Sequence, residues 1–432
     1  MATNGINSHQ NGHVPAKGAS ILELAENILE QTKGITKYLQ ANNLAAPTFS
    51  VNSSDPPATE QYQALQSSLR ESLEDLQRLI DGPRRFLRSF AAYTYDLASM
   101  QIALDFEFFT LVPAEGEISL KSLAEKAGLD LDRVSRTIRM LITLRFFQED
   151  TPGFISHSSS SIVLHKDEEL RATVHYTLDE LLKAAAYSAA SLKADPFEAD
   201  SNHCPFKYQH GLPIFEWYAA NPSNAGRFAR AMAGATRMDR HINELRDCFD
   251  WGSLKGTVVD CGGGSGHISM TLARLFPELT FVVQDGSTNM LDEGQKLLTD
   301  DIRDRVSFAQ HSFFDPQPYR DAAAFLIRQC THNWCDRDVI TMFKGMVPGL
   351  EGSSPDTPLL VNDIIMPEPG QWPRYAEREV RQIDLVMLVG FGAKQRTKAE
   401  FETLLKEADA RYEIRKLHST GPLGLLEIYL KR

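Results

Sequence analysis

Four glycines within five residues, with an acid on either side of them, mark where this chain could hold a small charged molecule. Residues 258–261 (Val-Val-Asp-Cys) read as a short buried strand, 262–266 as a glycine turn and 267–276 as a helix. A second apolar strand, 280–284, ends in Asp285. Glycine has no Cβ and tolerates positive φ, so a backbone turn at Gly262 and Gly264 can approach a ligand closely. The helix behind it offers unpaired N–H groups. An acid at the end of the second strand suits a ribose diol. The spacing departs from the dinucleotide fingerprint, whose third glycine slot is His267 here. The pattern is instead D-x-G-x-G-x-G from Asp260 to Gly266. An acid at Asp260 would repel a pyrophosphate and suits a ligand that carries positive charge.

A second set of reactive residues follows the fourth expected strand. It runs Arg328-Gln329-Cys330-Thr331-His332-Asn333-Trp334-Cys335-Asp336. Loops at the carboxyl ends of parallel strands are where such sheets bind ligands. An imidazole there can take the proton of a hydroxyl whose pKa is about 10. Further acids and amides, Asp363 in Val361-Asn362-Asp363-Ile364 and Gln395 in Lys394-Gln395-Arg396-Thr397, end or follow later strands.

These residues need a sheet to place them. From 257 onward, β-rich runs at 257–260, 280–284, 306–309, 324–328, 358–362, 411–416 and 425–430 alternate with helical segments. That predicts a seven-stranded, doubly wound α/β sheet. The last two strands are joined only by the turn at 419–422, so they should be antiparallel. In front, residues 19–43, 59–79 and 84–111 have helical periodicity, with a break at Gly82-Pro83. Segment 97–109 is apolar on most faces, as in a core or subunit interface. Residues 119–155 read as helix, turn, helix and β-wing, a winged-helix pattern. The expected division is a tail, helix and linker at 1–58, a helical winged-helix domain at 59–249 and a ligand-binding α/β domain at 250–432.

Composition narrows the partners. The chain of 432 residues has a net charge of −12. That weighs against nucleic acid, although Arg133, Arg136 and Arg139 share one helix of the winged-helix pattern. Five cysteines without a C-x-x-C indicate neither a disulfide framework nor a zinc site and fit a reducing, cytoplasmic compartment. No apolar run approaches the ~18 residues of a membrane span. Residues 1–17 are polar and lack a secretory core.

The D-x-G-x-G-x-G turn resembles motif I of class I S-adenosylmethionine-dependent methyltransferases. The Arg328–Asp336 run is similar to the K-x-x-x-H-D-W-x-D signature of caffeic-acid-type O-methyltransferases of plants and their fungal secondary-metabolite relatives. Lys394-Gln395-Arg396-Thr397, with Glu400-Phe401, resembles that family's G-K-E-R-T…E-F segment. The resemblance covers roughly 59–432. It implies a homodimer that binds S-adenosyl-L-methionine and methylates a phenolic or enolic hydroxyl of a polyketide-like small molecule. Asp260, Gly262, Gly264, Asp285, Ser312, Phe313 and Arg328 would line the cofactor. His332 would be the base, flanked by Asp363 and Gln395. Phe215, Trp217, Met387 and Phe391 would face the acceptor; no metal is implied. Three positions depart from the family pattern: Gln395, Asn333 and Ser312 are neutral where acids are usual. Those losses keep a second reading open, a pericyclase or cyclase that retains the cofactor without consuming it.

Overall fold

A computed structural model describes residues 20–239, 242–419 and 423–432. The expected polar tail at 1–17 and positions 420–422 of the expected turn lie outside the described residues. By contact the chain divides into two units. One takes the described residues up to Asp179, with Arg227–Gly234 and Pro369–Glu379. The other takes Glu180–Gly226, Ala235–Glu368 and Val380–Arg432. Most of 180–249, assigned by sequence to the helical domain, thus groups with the sheet.

In the first unit, helix Ile21–Ala41 starts at a capping box in which Ser20 and Glu23 satisfy each other's amides. A long helical stretch, Glu60–Asp105, is interrupted at Gly82, where φ is 64° and ψ 169°. Pro83 cannot supply an amide hydrogen to the turn before it, and the glycine takes the positive φ and extended ψ that make the break. Helices Leu120–Ala127 and Leu131–Thr143 follow, joined across Gly128, and are capped by Ser119 and Asp130. Strands Ile118–Ser119, Phe154–His157 and Phe147–Gln148 form a small antiparallel sheet beside them. Leu123, Val134, Ile138, Leu141, Phe147 and Ile155 are buried between these elements. Of the three arginines on the second helix, Arg139 is held by both carboxylate oxygens of Glu149 and Arg136 lies 3.7 Å from Asp132.

The second unit is built on β1 (Gly256–Cys261), β2 (Leu279–Asp285), β3 (Val306–Gln310), β4 (Ala324–Arg328), β5 (Leu359–Met366), β6 (Tyr412–Ser419) and β7 (Leu423–Leu430). Their spatial order is β6-β7-β5-β4-β1-β2-β3. β3, β2, β1, β4 and β5 are parallel, and β7 and β6 are antiparallel, as the short connection requires. Both faces are covered. Val259, Cys261, Phe325 and Ile327 pack into one core, and Val258, Phe281, Ala324 and Leu326 into another. Alternate residues of a strand point to opposite faces, so a sheet buried on both sides reads as a continuous apolar run. A two-residue strand, Arg396–Thr397, adds to β5 in parallel; it is too short to show in the sequence pattern. Among the described residues no helix is long and apolar enough to cross a membrane.

Candidate active site

The glycine turn follows β1. Gly262, Gly264 and Gly266 have φ of 78°, 58° and 76°. They differ in what a side chain would meet. A Cβ at Gly262 would lie 2.9 Å from Cys330 Sγ and 3.0 Å from the Phe313 ring, so that glycine makes room for protein side chains. At Gly264 only the Met290 methyl comes near, at 3.3 Å, and this is the open position of the turn. The amide of Gly264 donates to Asp285 Oδ2 at 3.0 Å, and Ser287 N donates to Oδ1 at 2.8 Å. A carboxylate has about four acceptor sites. Asp285 therefore keeps a lone pair on each oxygen for a diol.

Asp260, expected to face a cationic ligand, is engaged by the protein itself. It is buried beneath the turn, accepts from Ser269 Oγ at 2.7 Å, and lies where a Cβ on Gly263 would press on its carboxyl. Burial pushes its pKa up to about 6, against the Ser269 hydroxyl and the charge of Arg328, which lower it. Its role in the structure is to hold turn to helix. Arg328, at the end of β4, donates to Gln329 Oε1 at 3.2 Å. Gln329 has φ of 50°, a left-handed conformation that a residue with a Cβ adopts only under constraint. Phe313 packs edge-on to Phe314 and Trp334, at centroid distances of 4.8 and 6.1 Å. Ser312 Oγ accepts from Phe314 N at 3.3 Å and so caps its own loop.

His332 sits in a 3-10 turn, Thr331–Asn333, immediately beyond β4. It is 6% exposed. Its Nδ1 lies 2.7 Å from Asp363 Oδ1 on β5. Thr331 Oγ1 and the amide of His332 donate to Asp363 Oδ2 at 2.6 and 3.3 Å, and Ile364 N donates to Oδ1 at 3.2 Å. Burial alone would push Asp363 up, but His332, Thr331 and the Ile364 amide outweigh it and hold the acid below the usual carboxylate range. An ionised Asp363 accepts the Nδ1 proton and leaves the Nε2 lone pair available. Among the described residues Nε2 makes no hydrogen bond to the protein. Gln395 also reaches the ring: its Nε2 is 3.2 Å from Nδ1, and its Oε1 is buried without a partner. Nδ1 carries a proton for Asp363, so a second donor has nothing to bond. Turning the amide over would place Oε1 against that proton and leave Nε2 in the buried position without a partner. Asn333 points its amide at the Gln329 carbonyl, 3.4 Å away.

The chain matches the model of the O-methyltransferase domain over residues 191–411. It is 55% identical over 415 residues to O-methyltransferase sol2 of Alternaria solani, covering 96% of each chain. It belongs to the O-methyltransferase family. The solved structure of OxaC superimposes with a TM-score of 0.77 over 95% of this chain and 99% of that one, at 18% identity. An enzyme described as "A Pericyclic Reaction enzyme" gives 0.72 over 94% and 100%, also at 18% identity. At that identity both likenesses concern the fold, the Rossmann-like methyltransferase sheet.

S-adenosylmethionine is the cofactor of this family, and the residues present fit it. Gly264 leaves the turn open, Asp285 keeps acceptors for the ribose, and Phe313 offers an apolar flank. When bound, the cofactor supplies an activated methyl group. Of the apolar candidates, Phe215 and Phe391 meet, with ring centroids 5.7 Å apart. Met387 is buried, four residues before Phe391 on the helix Arg374–Phe391. Trp217 stands in a separate cluster with Phe206 and His210, at 5.6 and 5.0 Å. Two residues of the site carry no signal in the sequence. Thr331 binds the acid that holds the His332 ring, and Asp384 Oδ1 accepts from the backbone N–H of Gln395 at 2.7 Å.

Proposed function

We propose that this methyltransferase alkylates a phenolic or enolic hydroxyl of a polyketide-like secondary metabolite, with His332 as the general base. The observation that carries this reading is the tethering of His332 Nδ1 to Asp363 at 2.7 Å while, among the described residues, Nε2 has no protein partner. A phenol with a pKa of about 10 is mostly protonated at neutral pH and needs an acceptor for its proton as it attacks. Nε2 takes that proton, and Asp363 stabilises the imidazolium that results. Gly264, Asp285, Phe313 and Arg328 orient the methyl donor. Phe215, Met387 and Phe391 supply an apolar wall for the acceptor. The protein works as a cytoplasmic homodimer; its five free thiols and the exposed apolar side chains of its long helix support that reading.

The test follows release of S-adenosylhomocysteine with a panel of aromatic and enolic acceptors. His332→Ala should lower turnover by roughly 10²–10⁴, the usual contribution of a general base, while S-adenosylhomocysteine affinity holds. A rearranged product of unchanged mass, formed without S-adenosylhomocysteine, would instead identify a pericyclase, the reading for which the neutral Gln395 speaks.

A further inference from the structure

The turn that carries His332 is fastened by a residue from far along the chain. The Arg396 side chain is fully buried, although a guanidinium keeps its charge at any physiological pH. Four hydrogen bonds and an ion pair occupy its guanidinium. Nε and Nη2 lie 2.9 and 2.8 Å from Asp336 Oδ1. Nη1 donates to the carbonyls of Thr331 and Lys394 at 2.9 and 3.2 Å, and Nη2 to the carbonyl of Trp334 at 2.8 Å. Thr331 and Trp334 bracket His332. The backbone of Arg396 pairs with Ile365 of β5, two residues beyond Asp363. One strand therefore references the imidazole twice, through the carboxylate on its ring and through the arginine on its backbone.

We propose that Arg396 is a positioning residue. With Asp336, it locks the turn so that Nδ1 stays on Asp363 and Nε2 stays open to the acceptor. The inference rests on the reading of His332 as the base. A lysine at 396 would keep the charge, but its donors leave from one point and cannot span two carbonyls and a carboxylate.

Hydrogen–deuterium exchange of the full-length protein, saturated with S-adenosylhomocysteine, reads the turn directly. In Arg396→Lys the amides of 331–334 should exchange about tenfold faster or more. The amides of 262–266 should keep their rate, and calorimetric affinity for S-adenosylhomocysteine should stay within about twofold. On an acceptor that the wild type methylates, Arg396→Lys should lower kcat with little change in KM. In a His332→Ala background it should cost nothing further. Unchanged protection at 331–334, equal loosening at 262–266, or the same loss of kcat without His332 would each overturn the proposal. Should Arg396→Lys fail to fold, Asp336→Asn carries the same test, since it removes only the half-exposed partner. If His332→Ala leaves turnover intact, the general-base reading fails, and the exchange experiment still decides whether Arg396 locks the turn.

Discussion

At His332, one carboxylate does what two do in the usual family pattern. Among the described residues Asp363 is the one acid that accepts the ring proton, and its ionisation is maintained by Thr331 and two backbone amides. The histidine and its acid were legible in the sequence because their local motifs are distinctive. Thr331 was not, since its contact to Asp363 spans 32 positions and depends on β4 and β5 being neighbours. The surroundings of Asp260 were hidden for a related reason. Spacing placed it before the turn, but only the packed helix reveals Ser269 as its partner. Asp285 is the acid that keeps free acceptor sites. Asp285→Ala should weaken S-adenosylhomocysteine binding by about 1.5–3 kcal/mol, the scale of a hydrogen bond to a charged group. Wild-type affinity of that variant in calorimetric titration would remove Asp285 from the site.

Among the elements, the parallel strands were readable because both faces are buried and their apolar runs are continuous. The break in the long helix was readable from Gly82-Pro83, whereas the Arg396–Thr397 strand exists only through its register with Ile365 and Met366. Gly82 takes a left-handed φ with no atom near the place a Cβ would occupy. With ψ at 169°, this is a region open almost only to glycine, and Gly82→Ala should cost about 1–3 kcal/mol through backbone conformation alone. Urea unfolding should show a lower midpoint with unchanged slope; a midpoint equal to wild type would mean that the break relaxes. The small sheet beside the paired helices hides a second liability. His157 is buried between the Ser161 hydroxyl and the Val112 carbonyl, and burial pushes its pKa down to about 4. Its folded pKa lies below the unfolded value of about 6.5, so its contribution to stability is complete above 6.5 and is lost as pH falls toward 4. The full loss is roughly 3 kcal/mol. His157→Gln should flatten the acid side of the stability profile between those values, as followed by circular dichroism during chemical denaturation.

At the scale of the whole molecule, the question is what covers the long helix. Segment 97–109 is only partly enclosed: Met100, Ala103, Leu104, Phe108 and Phe109 are buried, while Leu97, Ile102 and Phe106 are 39%, 38% and 39% exposed. Earlier on the same stretch, Ile80, Leu87 and Phe90 are each 64% exposed, and Tyr95 is 72% exposed. Single exposed apolar residues are ordinary, but a contiguous patch beyond a few hundred Å² marks an interaction surface. A stable interface removes about 800 Å² from each partner, and aromatic side chains are enriched at its centre. A second copy of this chain would bring the same residues from both sides. We expect a dimer by light scattering at micromolar concentration, and dissociation to monomer when Leu87 and Phe90 are both changed to Asp. Two carboxylates per protomer would be desolvated without partners at the interface, a penalty larger than most single contacts supply. In the free protomer both positions already face water, so the fold itself should survive the change, which a cooperative melt would verify. A wild-type monomer, or a double variant that remains dimeric, would place the contact elsewhere.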